Sequence, residues 1–159
     1  MWQPASTNFG EKYQILTSII KDSHKFPGGF YADSGPDVDF TPIVDDQERS
    51  DYNAPDKANG FINYVNELAS AYQEENVMLP MGTDFAFQNA GQTFKNIEKL
   101  IDWINKNQCD SKISYRMSTP SEYIKAINNE KHTYSVFKDD FIPFIDQKEQ
   151  AFSGFFTSR

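Results

Sequence analysis

Apolar side chains recur every three or four positions in two long stretches of the chain, residues 55–72 and 94–104. This spacing places them on one face of a helix, so each stretch is predicted to form an amphipathic helix. A third helix is predicted to begin near Thr119, because Thr119 and Glu122 have the spacing of a capping box. The three apolar faces consist of Ala58, Phe61, Ile62, Val65, Leu68, Ala69 and Tyr72, then Phe94, Ile97, Leu100, Ile101 and Ile104, and then Tyr123, Ile124 and Ile127.

Three further segments have the pattern of strands. Residues 13–20 (YQILTSII) and 76–81 (NVMLPM) are short apolar runs, and residues 112–118 (KISYRMS) alternate between apolar and polar positions. The predicted order is strand, long loop, helix, strand, helix, strand, helix. This alternation predicts the α/β class, with parallel strands joined by crossover helices. In such folds the functional side chains lie at the carboxyl ends of the strands.

Asp84 is placed where this architecture puts functional groups. It follows the predicted strand at residues 76–81 and precedes Phe85. A carboxylate just beyond a strand can face a cleft, but Asp is also a common cap of turns and helices, so position alone leaves both interpretations open. The stretch 25–55 is rich in Pro, Gly and Asp and predicts a long loop, which its aromatic residues favour as ordered.

The composition narrows the classes of partner. Net charge is −8, with scattered basic residues, which argues against a nucleic-acid partner. No apolar stretch approaches the ~20 residues that span a bilayer, so no membrane insertion is expected. His24, His132 and Cys109 are far apart in sequence and lack ligand spacing, so no metal site is predicted within the chain. A nucleotide-binding domain is disfavoured because no phosphate-binding glycine motif is present.

Four ordered segments carry a family resemblance. MLPMGTDFAFQNAGQTFKNIEKLI (residues 78–101) contains a Gly-x-Asp-Phe motif, and YRMSTPSEYIKAIN (115–128) a Ser-Thr-Pro motif. FKDDFIPFID (137–146) is similar to Asp-Phe-Phe-Pro-Tyr-Ala-Asp, and AFSGFFTSR (151–159) to Trp-Ser-Gly-Tyr-Tyr-Thr-Ser-Arg. With these segments the chain resembles the α-mannosidases of glycoside hydrolase family 38, in particular the lysosomal type.

The resemblance implies both an architecture and a reaction. Residues 1–159 would be the later part of the family's catalytic domain, an incomplete segment of an α/β barrel with its upstream and downstream parts absent. The implied reaction is hydrolysis of terminal α-linked mannose from N-glycan-type oligosaccharides, by a retaining, zinc-dependent mechanism in the lysosome or secretory pathway. The nucleophile and the zinc ligands are expected outside this chain, which alone is expected to be inactive. The oligomeric state is left open.

The resemblance also assigns residues. Asp84 takes the position of the general acid/base. Phe152 takes the position of a family tryptophan that lines the sugar pocket, with core packing as the alternative, and His24 falls near a position that approaches the substrate, with a plain surface histidine as the alternative. The competing function is a non-catalytic carbohydrate-binding or interaction remnant.

Overall fold

The computed structural model describes residues 1–21, 24–28, 30, 41–82, 85–108, 113–141, 144–152 and 154. The chain divides into two compact units, residues 20–132 and residues 1–19 with 133–159. Its regular elements are the helices α1 (Ser6–Phe9), α2 (Ala54–Ala69), α3 (Ala90–Asn107) and α4 (Pro120–Asn129) and the strands β1 (Phe144–Gln147) and β2 (Gln150–Phe152).

The two long amphipathic helices predicted from the sequence are confirmed and pack against each other as α2 and α3. Pro55 is the second residue of α2, where the missing N–H removes no helical hydrogen bond. The small side chains of Ala54 and Ala58 are fully buried, which lets neighbouring groups approach the helix closely. The core of this unit consists of Phe26, Phe30, Ile43, Ala54, Ala58, Phe61, Ile97, Leu100 and Ile104.

The predicted third helix is also confirmed, together with its start signal. The backbone N–H of Glu122 donates to Thr119 Oγ1 at 3.3 Å, and the backbone N–H of Thr119 donates to the Glu122 carboxylate at 3.2 Å. These two bonds satisfy N–H groups that the first turn of a helix leaves without partners. Tyr123 and Ile127 are buried as expected, whereas Ile124 is exposed.

The three predicted strands do not appear in a sheet of the described residues. Within residues 13–20 only Ile15 pairs, through a single antiparallel bridge to Trp2, and the described residues of 76–81 and 112–118 have no strand assignment. The two strands that are present, β1 and β2, form an antiparallel hairpin. The α/β barrel architecture stays a prediction, since a barrel strand is recognised by its pairing with neighbouring strands.

Asparagine side chains bond the irregular segments of the larger unit to its helices. Asn96 of α3 is buried, and its Oδ1 accepts from the backbone N–H of Ile43 at 2.7 Å while its Nδ2 donates to the Thr41 carbonyl at 3.0 Å. Lys99, one turn further along α3, donates to the Ile43 carbonyl at 3.1 Å and pairs with Asp45 at 2.7 Å. Residues 41–45 are thereby fastened along α3.

The same device recurs at two other places. Asn53, at the N-cap position of α2, accepts from the Val44 N–H at 2.9 Å and donates to the Pro42 carbonyl at 3.1 Å. Asn105 of α3 accepts from the backbone N–H of Tyr115 at 3.0 Å and donates to the Tyr115 carbonyl at 2.7 Å. An amide side chain carries one acceptor and two donors, so it can satisfy both backbone groups of a segment without a regular ladder.

The smaller unit is organised around the first three residues. Trp2 bridges Ile15 on one side and Phe137 on the other, and the backbone of Met1 and Gln3 completes the pairing with Phe137. The Trp2 indole N–H donates to the Asp139 carbonyl at 3.1 Å. Rings of Trp2 and Phe137 both pack on Phe141, at centroid distances of 5.7 and 5.0 Å.

Replacement of Asn96 by Ala is expected to lower the free energy of unfolding of the larger unit by about 1–3 kcal/mol, because the buried Ile43 N–H loses its acceptor. Urea unfolding followed by fluorescence measures this in a Trp2→Phe background, where Trp103 of α3 is the remaining tryptophan. The exposed Asn63→Ala on α2 is the control and should change stability by less than about 0.5 kcal/mol. Equal urea midpoints for the two variants would contradict the role of Asn96.

Candidate active-site segment

Two of the predicted site regions lie side by side in the larger unit. The backbone N–H of Gly82 donates to the carbonyl of His24 at 2.6 Å. Gly82 opens the Gly-x-Asp-Phe motif, so the loop that carries His24 supports the segment that leads to Asp84. The His24 side chain is exposed. Thr83 and Asp84 lie outside the described residues, and the catalytic role of Asp84 stays a prediction.

An aromatic cluster holds the residues just after the motif. The Phe87 ring packs on Phe26 and Phe94, with centroid distances of 6.2 and 5.3 Å. Phe26 belongs to the core and is 8% exposed. Ring contacts of this kind contribute about 0.5–1.5 kcal/mol each beyond their buried area. Phe87 is therefore anchored to the same core that α2 and α3 build.

The backbone conformation at the entry to the motif favours glycine. Gly82 has a φ of +157°, which side-chain-bearing residues rarely adopt. A Cβ at this position would lie in ordinary van der Waals contact with Cε2 of Phe87, at 3.4 Å. The close approach places the aromatic anchor against the backbone of residue 82, so the residues that flank the predicted Asp84 position are held together.

Two phenylalanines, the last residue of the motif and the second residue after it, adopt a left-handed backbone conformation. Phe85 and Phe87 both have φ of 65°. This conformation costs about 1–2 kcal/mol for a residue with a Cβ and occurs mostly at Gly, Asn and Asp. The packing of Phe87 offsets that cost, but the Phe85 side chain is 70% exposed. Sequence reasoning missed this feature because a phenylalanine carries no signal for positive φ.

The segment that enters the motif is fastened at its start by Glu130, the residue after α4. Its carboxylate accepts from the backbone N–H groups of Glu75 and Asn76, at 2.9 and 3.1 Å, and from Asn76 Nδ2 at 2.6 Å. His132 Nε2 lies 2.9 Å from the same carboxylate. Burial raises the pKa of Glu130, but the bonds from Asn76, Glu75 and His132 together hold the pKa below its ordinary value. In the sequence Glu130 is only the residue that ends α4, and nothing there predicts its bonds to residues 75–76.

The remaining predicted positions lie elsewhere. Phe152 is in strand β2 of the smaller unit, where its backbone pairs with Phe144. Among the described residues, no group of three or more His, Cys, Asp or Glu side chains forms a metal site. These residues therefore do not provide a donor set for zinc. Within the same part of the chain, no helix combines the length and apolarity needed to cross a membrane.

Comparison with known proteins identifies the family. The model of the glycosyl hydrolases family 38 N-terminal domain matches residues 1–147. The chain belongs to glycosyl hydrolase family 38. The resemblance read from the four sequence segments is thus confirmed, and the family match contains the whole of the segment around Gly82, Phe85 and Phe87.

Related family members carry names that agree with this assignment. The chain is 36% identical over 159 residues to a lysosomal alpha-mannosidase of Dictyostelium discoideum and 33% identical over 159 residues to an alpha-mannosidase of Arabidopsis thaliana, covering 100% of the chain and 15% of each relative. It is 35% identical over 119 residues to the lysosomal alpha-mannosidase of Homo sapiens, covering 74% of the chain and 12% of that relative. The chain thus spans a small part of the relatives it matches.

Replacement of Glu130 by Gln is expected to destabilise the larger unit at pH 7 by about 1–3 kcal/mol, because part of the N–H cluster then faces an amide NH₂ group. The folded-state pKa of Glu130 lies below its ordinary value of 4.5. Its stabilising contribution is therefore complete above about pH 4.5 and is lost as the pH falls through the lowered pKa.

Urea midpoints of the chain and of Glu130→Gln, measured from pH 7 down to pH 3.5, should accordingly converge in acid. The exposed Glu98→Gln on α3 is the matched control and should follow the unsubstituted chain throughout. A gap between the chain and Glu130→Gln that stays constant over this range would rule out the carboxylate as its source.

Proposed function

We propose that this chain forms part of an enzyme that hydrolyses terminal α-linked mannose residues of N-glycan-type oligosaccharides, with Asp84 as the general acid/base. The observation that carries the proposal is the family match over residues 1–147, together with relatives that are named alpha-mannosidases. The support of the Gly-x-Asp-Phe motif by His24 and by the Phe87 cluster is consistent with a segment that must hold a reactive group in place.

The chemistry assigned to Asp84 is proton transfer at the glycosidic oxygen. In a retaining mechanism one carboxylic acid protonates the leaving oxygen while a second carboxylate, roughly 5–5.5 Å away, attacks the anomeric carbon. The acid then returns as a base that deprotonates the attacking water. The second carboxylate belongs to a part of the enzyme outside this chain under the proposal. A raised pKa would keep the proton on Asp84 at the working pH.

Zinc dependence and location are further parts of the proposal. When bound, zinc would supply electrostatic stabilisation of charge during sugar transfer. As the family resemblance implies, we assign its ligands to residues outside this chain. The names of the Dictyostelium and human relatives support a lysosomal location. The scattered basic residues and the net charge of −8 agree with a neutral sugar substrate better than with a polyanion.

Asp84→Asn is expected to reduce kcat on a natural mannoside by about 10²–10⁴-fold, because the amide cannot transfer the proton. The test uses a chimera in which this chain replaces the 159-residue matching segment of the Dictyostelium relative. The loss should be smallest in the glycosylation step of substrates whose acidic leaving group departs without protonation. Asp102→Asn, which removes an exposed 3.8 Å ion pair with Lys106, is the control and should keep full activity.

The result would differ if Asp84 were only a turn cap. Asn caps turns and helices as well as Asp does, so Asp84→Asn would then retain near-normal rates on a natural mannoside. Such rates would remove Asp84 from the mechanism.

The 159-residue chain by itself is expected to show no turnover of an aryl α-mannoside, with or without added zinc. General acid/base help contributes only part of the acceleration and cannot replace a nucleophile. Release of the aryl alcohol by the purified chain would contradict this expectation. If the chain binds sugar without zinc and neither the chain nor the chimera turns over a mannoside, the carbohydrate-binding alternative is favoured.

A further inference from the structure

The described residues with a side chain and positive φ are Phe85, Phe87, Lys131 and Glu149. Lys131 follows the C-terminal end of α4, where a left-handed residue commonly ends a helix. Glu149 lies in the two-residue turn between β1 and β2, where positive φ matches the twist of a hairpin. Local structure therefore accounts for Lys131 and Glu149, and the burial of the Phe87 ring accounts for Phe87. Phe85 begins the turn at residues 85–89, and its exposed ring offers no packing that would offset its left-handed backbone.

Phe85 combines two unfavourable features. Its backbone is left-handed, and its large apolar side chain is 70% exposed. Strained residues persist where the surrounding structure determines their conformation, and they cluster at binding and catalytic sites. Residues on either side of Phe85 are held in this way, Gly82 by the 2.6 Å bond to the His24 carbonyl and Phe87 by its packing on Phe26 and Phe94.

An exposed phenyl ring has a clear use in an enzyme that binds sugars. The π face of an aromatic ring carries partial negative charge and attracts the weakly positive C–H groups on the apolar face of a pyranose. A neutral sugar offers no ionic contact, so an aromatic surface is an effective way to orient it. Phe85 directly follows Asp84 in the sequence, which places the ring one residue from the proposed acid/base.

We infer that the Phe85 ring contacts the mannoside substrate and orients it for Asp84, and that the left-handed backbone is maintained for this contact. This inference rests on the proposed function. It assigns Phe85 a binding role that the packing of the fold does not require. Since a ring contact acts on the bound sugar before and during the reaction, its removal should weaken binding more than it slows the chemical step.

Three variants of Phe85 separate the ring from the backbone in the Dictyostelium chimera. Phe85→Leu keeps an apolar side chain without a flat ring, Phe85→Tyr keeps the ring, and Phe85→Gly removes both the ring and the strain. We expect Phe85→Leu to raise KM roughly 10-fold with little change in kcat, and Phe85→Tyr to stay within about 3-fold of the parent. Phe9→Leu, at a phenylalanine that is 58% exposed in the smaller unit, is the matched control and should leave KM unchanged.

Stability provides an independent readout. Phe85→Gly should raise the urea midpoint of the 159-residue chain, as Lys131→Gly and Glu149→Gly should, because all three remove a side chain at positive φ. A lower midpoint for Phe85→Gly would show that Phe85 supports the fold, and would overturn the inference. So would a KM that is unchanged in Phe85→Leu.

Failure of the proposed function has a different signature, namely a folded parent chimera that hydrolyses no mannoside. Saturation-transfer NMR with a non-hydrolysable thio-linked α-mannobioside then decides on Phe85 without turnover. Binding by the parent that weakens in Phe85→Leu and persists in Phe85→Tyr supports the ring contact. Absence of binding by the parent, or equal binding by all variants, overturns it.

Discussion

The packing of α2 on α3 is the constraint on which the larger unit depends. Both helices turn a continuous apolar face inward, and the fully buried Ala54 and Ala58 leave room for the surrounding groups. Phe26, Phe30 and Ile43 come from outside the helices and complete the same core. Because Phe26 also contacts Phe87, the helix pair supports the Gly-x-Asp-Phe motif through a short chain of apolar contacts.

Polar side chains determine where the irregular segments lie on this helical base. Asn96 and Lys99 hold residues 41–45 along α3. Glu130, the residue after α4, holds residues 75–76. Apolar packing is largely non-directional, whereas each of these bonds joins named atoms at one register. The burial of Asn96 is tolerable because Ile43 and Thr41 satisfy its amide. Core and polar bonds therefore have separate tasks, one driving collapse and the other specifying position.

The helices could be predicted from the sequence because their signals are local, and the family could be predicted because its motifs are short and continuous. The spacing of Phe61 and Leu68, and the Thr119–Glu122 capping box, act through neighbouring residues and are readable in one dimension. The bonds from Glu130 to residues 75–76 join distant parts of the chain, which no periodicity encodes, and phenylalanine carries no sequence signal for the left-handed conformation of Phe85. The segments interpreted as strands illustrate the same limit, because an apolar run does not specify which partner its backbone will find. Asp84 itself rests on the family motif, since its position after an apolar run fits a cap equally well.

The two hydrogen bonds between Asn105 and Tyr115 limit how a strand can pair with this segment. In an extended chain the N–H and C=O of one residue point to the same side, and those of its neighbours point to the opposite side. Asn105 bonds both backbone groups of Tyr115, so neither group is left to pair with a neighbouring strand. A single amide from a helix thus takes the place of a pairing strand at Tyr115 and disfavours adventitious strand addition there.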